Sequence, residues 1–155
     1  MIASHQTPIE SPFGRDSEPH EVLAGIDLAG NVAMDLADIA SVQRFASGYA
    51  ADTTRLDLLI NNAGVMACPE TRVGPGWELQ FGTNHMGHFA LATTLLPLLQ
   101  RSGDCRVVAL SSTGHKLSDI RWDDPNWTDG SYDKWKAYGQ SKTANALFAV
   151  GINAR

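Results

Sequence analysis

The sequence predicts an α/β fold: a doubly wound parallel sheet covered by helices. Three observations carry this. Apolar runs of strand length alternate with stretches of helical periodicity, in the order strand, helix, strand, helix, strand, helix. Two of the runs, Leu-Asp-Leu-Leu-Ile within residues 55–61 and Arg-Val-Val-Ala-Leu-Ser-Ser at 106–112, are nearly continuous in apolar residues. That pattern suits parallel strands buried on both faces. Each run also closes on small polar residues, where such a sheet turns into its next helix.

The elements follow in order. Residues 1–19 hold three prolines, several serines and charges, and no period, and read as a loose tail. Residues 22–26 form a short candidate strand, and residues 31–35, Asn-Val-Ala-Met-Asp, a second. Asp38 or Ser41 then caps a helix to about Tyr49, with Ile39, Val42, Phe45 and Ala46 on one face. The strand at 55–61 comes next. Gly74-Pro75-Gly76 breaks the chain. A long helical region spans about 77–100, in two pieces around Gly82 and Gly87, with Leu79, Phe81, Met86, Leu91, Leu95 and Leu98 among its apolar residues. Pro97 predicts a kink near its end. Ser102-Gly103-Asp104 stops it. After the strand at 106–112, residues 114–130 form a polar loop bearing Trp122 and Trp127, which suggest an apolar wall near a pocket mouth or, as often in such a loop, packing. The last helix runs from Ser131 or Tyr132 to Ala149 or Asn153.

Composition narrows the function. A chain of 155 residues makes one domain at most, with enough length for a real core. The net charge of −5 and the lack of a Lys/Arg cluster argue against nucleic acid as a partner. No basic segment followed by a long apolar run opens the chain, and the apolar stretch at 89–99 is too short to span a bilayer. Cys68 and Cys105 lie far apart without C-x-x-C spacing, as thiols of a cytoplasmic protein do. His85 and His88 are three apart, but no further ligand completes a tetrahedral set. Packing or capping is therefore the reading, and no metal site is expected.

The stretch that carries chemistry is residues 135–147, Trp-Lys-Ala-Tyr-Gly-Gln-Ser-Lys-Thr-Ala-Asn-Ala-Leu. Tyr138 and Lys142 fall on one helix face. An ammonium beside a phenol favours the phenolate, and a phenol so tuned can exchange a proton with a hydroxyl or carbonyl oxygen. Taken alone, the pair reads first as a surface Tyr and a surface Lys one turn apart, because Tyr-x-x-x-Lys is a very common pattern. Three polar clusters change the weighting: Met34-Asp35-Leu36, Asn61-Asn62-Ala63-Gly64 and Ser111-Ser112-Thr113-Gly114. Each taken singly is ordinary turn chemistry. In a parallel sheet all three lie at strand carboxyl ends, the edge where ligands bind and to which the Tyr138 helix must return.

These motifs resemble the short-chain dehydrogenases/reductases over roughly residues 31–149. Asn61-Asn62-Ala63-Gly64, Ser111-Ser112 and Tyr138-x-x-x-Lys142 stand in the family's order and spacing. Residues 81–89, Phe-Gly-Thr-Asn-His-Met-Gly-His-Phe, and 138–145, Tyr-Gly-Gln-Ser-Lys-Thr-Ala-Asn, are similar to its retinol-dehydrogenase-like branch. The resemblance implies a Rossmann-like domain and an oxidoreductase exchanging hydride between NAD or NADP and a small alcohol, aldehyde or ketone. It implies Tyr138 as general acid/base, Lys142 as the residue tuning it and binding the nicotinamide ribose, and Ser112 as holder of the substrate oxygen. Asn84 would fix a helix kink and a water in a proton relay. Asp35 would contact the adenine, with Asn61, Ala63 and Gly64 beside the adenosine ribose. The long helices would form a homo-oligomer face.

The family's opening T-G-x-x-x-G-x-G turn has no counterpart in this sequence, and residues 1–30 do not carry the resemblance. Residues 31–155 thus read as the central part of the domain, without the first β-α-β unit and the C-terminal strands. Two functions follow: an oxidoreductase by descent, or a catalytically incompetent remnant acting through its helices. Dinucleotide binding discriminates them.

Overall fold

The computed structural model describes residues 34–153. The tail, the candidate strand at 22–26 and most of that at 31–35 lie outside the described residues. Met34 and Asp35, the last two of the second candidate, are not strand.

Helix α1 (Ile39–Asp52) is capped by Asp38, whose carboxylate accepts from the Ala40 N–H at 2.9 Å. Ser41, the other candidate cap, instead accepts from the Asp35 N–H at 3.1 Å. Of the expected apolar face, Val42 and Ala46 are fully buried and Phe45 packs beside them.

Strand β1 (Leu58–Asn61) pairs in parallel with β4 (Arg106–Ala109), Leu58 opposite Arg106 and Asn61 opposite Ala109. Both strands are shorter than their apolar runs. Single backbone bonds from Arg106 to Asp57 (2.8 Å) and from Leu110 to Asn61 (3.0 Å) extend the pairing at either end. Leu59 and Val107 turn toward the helices and join the core. Leu58, Ile60 and Val108 face the other way and stand 51%, 55% and 41% exposed. The expectation of strands buried on both faces therefore fails for one face, which no described helix covers.

Gly74-Pro75-Gly76 does break the chain, as the turn of a small antiparallel hairpin, β2 (Arg72–Val73) and β3 (Trp77–Glu78). The helical region therefore starts at Leu79 rather than Trp77. Glu78, wholly buried, is its cap and accepts from the Gln80 and Phe81 N–H groups at 3.0 and 2.7 Å. The region has the expected two pieces, α2 (Leu79–Phe81) and α3 (Gly87–Arg101). A π-turn (Gly82–Met86) joins them, closed by a bond from the Gly87 N–H to the Gly82 carbonyl. The helix continues through Pro97 to Arg101, so the proline does not end it.

Leu91, Leu95, Leu98 and Leu99 of α3 form the core with Leu36, Val42 and Ala46. We expect Leu95→Ala, at a site 2% exposed, to cost about 2–5 kcal/mol, read from denaturant unfolding at unchanged m-value. A smaller loss would mean that the site collapses around the truncation.

Beyond β4 a 3₁₀ turn (Thr113–Leu117) leads into the loop. Trp127, expected near a pocket mouth, is 4% exposed, with the Arg121 guanidinium 4.1 Å above its ring and Tyr132 edge-on to it. Trp122 is 76% exposed. The Tyr132 hydroxyl donates to the Cys68 carbonyl and contacts buried Glu78. Burial and the Glu78 charge push its phenol up to about 12. Helix α4 (Lys134–Asn153) starts slightly later than expected, because Asp133 caps it by accepting from the Trp135 and Lys136 N–H groups, both at 2.9 Å.

Candidate active site

Tyr138 and Lys142 share the face of α4 turned to the carboxyl end of β4. The Lys142 ammonium lies 5.6 Å from the centre of the Tyr138 ring and donates to the Leu110 carbonyl at 3.2 Å. Lys142 is only 7% exposed. The Ser111 hydroxyl donates to the Lys142 carbonyl at 2.8 Å, fastening helix to strand end. Of the two adjacent serines, Ser111 is therefore structural.

Ser112 is placed differently. Its hydroxyl oxygen accepts from the Gly114 N–H at 3.1 Å, which leaves its own proton free for another acceptor. Its carbonyl accepts from the His115 N–H at 3.0 Å and from the His115 ring at 2.6 Å. Between Ser112 and Tyr138 lies Gly114. A Cβ there would stand 2.8 and 3.0 Å from Cε1 and Cδ1 of Tyr138 and 3.4 Å from the Ser112 hydroxyl oxygen. The phenol edge and the hydroxyl thus both flank Gly114, whose missing side chain leaves the space beside them open.

Asn84 sits in the middle of the π-turn, wholly buried. Its carboxamide clamps one residue of the loop after β1, accepting from the Val65 N–H at 2.7 Å and donating to the Val65 carbonyl at 2.8 Å. The same amide donates to the Ser141 hydroxyl at 3.0 Å. The clamp runs past Gly64, whose Cβ would come within 2.7 Å of the Asn84 carboxamide oxygen. Its side chain is thus occupied with positioning, and its backbone carbonyl accepts from Asn145 at 3.0 Å.

Asn145 was not singled out by sequence reasoning. It is 4% exposed and also donates to the Leu110 carbonyl at 3.1 Å, the acceptor that Lys142 uses. It therefore joins the π-turn, the end of β4 and the Tyr/Lys helix. The available signal was a polar residue one turn beyond Lys142, in line with it on the helix.

Asn61, at the end of β1, is 2% exposed, and its carboxamide has no partner among the described residues. Ala63 lends its carbonyl to the His88 Nε2 at 2.8 Å. His85 faces the other way and bonds Asn145 through Nδ1 at 3.1 Å. The two histidines thus diverge to different partners. Burial holds both imidazoles below their usual value. For His88 the Ala63 bond opposes that shift, while the Lys142 charge adds to it. Asp35 is exposed, its carboxylate accepting from the Ala37 N–H at 2.8 Å. The structure thus brings together Asn61–Gly64, Asn84, Ser112, Tyr138 and Lys142, while no hydrogen bond among the described residues joins Asp35 to that group.

The sequence model of a family described as short chain dehydrogenase matches residues 16–122, beginning within the stretch that the motifs left out. A probable oxidoreductase of Streptomyces lividans is 42% identical over 153 residues, covering 96% of this chain and 50% of that protein. Retinol dehydrogenase 13 of Homo sapiens is 43% identical over 122 residues, 79% of this chain and 37% of that protein. The chain thus spans half or less of the length of these curated relatives. Among solved structures, an uncharacterized protein from Mycobacterium paratuberculosis is 45% identical with a TM-score of 0.69, over 79% of this chain and 42% of that one. The NADP active-site complex of RhlG from Pseudomonas aeruginosa is 30% identical with a TM-score of 0.55, over 77% of this chain and 44% of that one. No helix among the described residues is long and apolar enough to cross a membrane.

Proposed function

The chain belongs to the short-chain dehydrogenases, and on that premise we propose that its site exchanges hydride between a nicotinamide dinucleotide and an alcohol or carbonyl. The observation that carries this is that the Tyr138 ring edge and the Ser112 hydroxyl both flank Gly114, with the Lys142 ammonium 5.6 Å from the ring centre. Ser112, its oxygen already accepting from Gly114, donates a hydrogen bond to the substrate oxygen and orients it, keeping its own proton. Tyr138 gives its proton to that oxygen during reduction and takes it back during oxidation.

Lys142 is where the cofactor fits. A nearly buried ammonium has three protons, and one acceptor, the Leu110 carbonyl, is in place. Leaving the others without acceptors is costly. The hydroxyls of a nicotinamide ribose are acceptors of the right kind. When bound, the nicotinamide supplies or accepts the hydride. The exposed Ala63–Gly64 segment fits the adenosine ribose, with buried Asn61 at the strand end beneath it. Asp35 completes the reading as the adenine contact, on resemblance alone. Asn84 serves as a positioning residue, and a water in a proton relay would reach it through its backbone carbonyl.

The NADP held by RhlG supports a nicotinamide cofactor, and the retinol dehydrogenases among the relatives support an alcohol as the reduced substrate. A second copy of the chain fits the apolar groove between α3 and α4, lined by Phe81, His85, Phe89, Leu147 and Phe148. The test is a fluorescence titration of the folded chain with NADPH and with NADH. Saturable micromolar binding of one or both is the expected result. No binding by a chain shown to be folded would overturn the reading and leave Tyr138, Lys142 and Ser112 as a relic.

A further inference from the structure

We propose that His88 is a cofactor-positioning residue, holding the Ala63–Gly64 peptide through its bond to the Ala63 carbonyl and leaving the Gly64 N–H as a donor to the dinucleotide. The inference rests on the dinucleotide reading above.

His88 is 5% exposed on α3, and its Nε2 lies 2.8 Å from the Ala63 carbonyl. A carbonyl only accepts, so the proton sits on Nε2. That leaves Nδ1 as a bare nitrogen, buried and without a partner among the described residues. Burial and the nearby Lys142 charge both keep the ring neutral, in keeping with that tautomer. The residue thus accepts an unpartnered nitrogen in order to make one bond, and that bond ends on the backbone of the loop after β1.

The helix grips this loop twice. Asn84 holds both polar groups of Val65, and His88, one turn later, holds the Ala63 carbonyl. Between the two grips lies Gly64, exposed and without a side chain. The peptide is planar and trans, so the Gly64 N–H points opposite to the Ala63 carbonyl. Turning that carbonyl to the buried imidazole turns the N–H away from the helix. His85, three residues earlier, has no part in this, because its ring turns to Asn145 and the aromatic side chains of α3 and α4.

The test compares dinucleotide titrations of the unmodified chain, His88→Leu and His88→Gln, each shown to be folded. His88→Leu keeps most of the volume and removes the donor, and we expect it to weaken binding about tenfold. His88→Gln restores an amide N–H, and binding should return to within about threefold of the unmodified chain. Hydrogen exchange supplies a readout without cofactor: in His88→Leu it should rise in the peptide spanning residues 61–66 and not across the core. Unchanged binding in His88→Leu would overturn the inference, and so would a His88→Gln as weak as His88→Leu, which would make the role one of packing. If His88→Leu does not fold, His88→Met replaces it, filling the space without a donor. No binding by the unmodified chain would instead overturn the dinucleotide reading, and this inference with it.

Discussion

Tyr138→Phe is expected to lower turnover by roughly 10²–10⁴-fold in any form of the protein that is active, while leaving dinucleotide binding within about twofold. The substitution removes one hydroxyl and keeps the ring. The ring is what packs on Gly114, and no protein partner of the Tyr138 hydroxyl occurs among the described hydrogen bonds, so the structure gives the fold little reason to change. The Lys142 ammonium keeps its bond to the Leu110 carbonyl, and the proposed ribose contact does not involve the phenol. The loss should fall on kcat more than on the cofactor KM, because the missing proton is needed only as the substrate oxygen changes charge. The measurement is steady-state kinetics with the dinucleotide that binds, against aldehydes, ketones and retinoid-like alcohols. Turnover equal to that of the unmodified chain would remove Tyr138 from the mechanism.

How far the sequence reached depends on what kind of signal each feature leaves. Periodicity located α1, α3 and α4 within a few residues, since an apolar helix face repeats over several turns. It placed β1 and β4 but overextended both, because the run reaches beyond the paired residues, before the first in β1 and after the last in β4. The hairpin at Arg72–Val73 and Trp77–Glu78 went unseen. Two-residue strands have no period, and only the Gly-Pro-Gly turn marked the spot. The failure at Leu58, Ile60 and Val108 has another cause: an apolar run says that a strand suits burial, not that a neighbour covers it, and no described helix lies over this face.

The site divides in the same way. Tyr138, Lys142 and Ser112 stand out as candidates because motif spacing and strand-end position both point to them. Gly114, His88 and Asn145 do not, because their roles exist only in three dimensions. Gly114 matters through an absent side chain, His88 through a backbone carbonyl of a remote loop, and Asn145 through carbonyls of two other elements. Backbone acceptors leave no trace in residue identity. A sequence pattern therefore names side chains at motif positions more readily than the backbone contacts that hold them in place.

Gly114→Ala tests the placement of Tyr138, and the expected loss in kcat/KM is about 10²-fold, the scale of a misplacement near 1 Å. Its methyl carbon would stand 2.8 Å from Tyr138 Cε1 and 3.0 Å from Cδ1. Something must move, and the backbone on both sides is pinned. Ser111 ties the strand end to Lys142, and the Thr143 hydroxyl donates to the Ser118 carbonyl at 2.7 Å, with the His115 carbonyl also within reach at 3.0 Å. The Tyr138 ring is the part left to swing, and it swings away from Ser112. The strain should also cost about 1–3 kcal/mol of stability. Gly48→Ala is the control: a Cβ there meets nothing within 4 Å, so it should stabilise helix α1 by up to about 1 kcal/mol and leave kinetics alone. The decisive comparison is the double variant. If Gly114→Ala acts by displacing the phenol, it should add little kinetic loss to Tyr138→Phe while keeping its stability cost, since the two changes disable one group. Additive kinetic losses would mean that Gly114 serves the site by some route other than Tyr138.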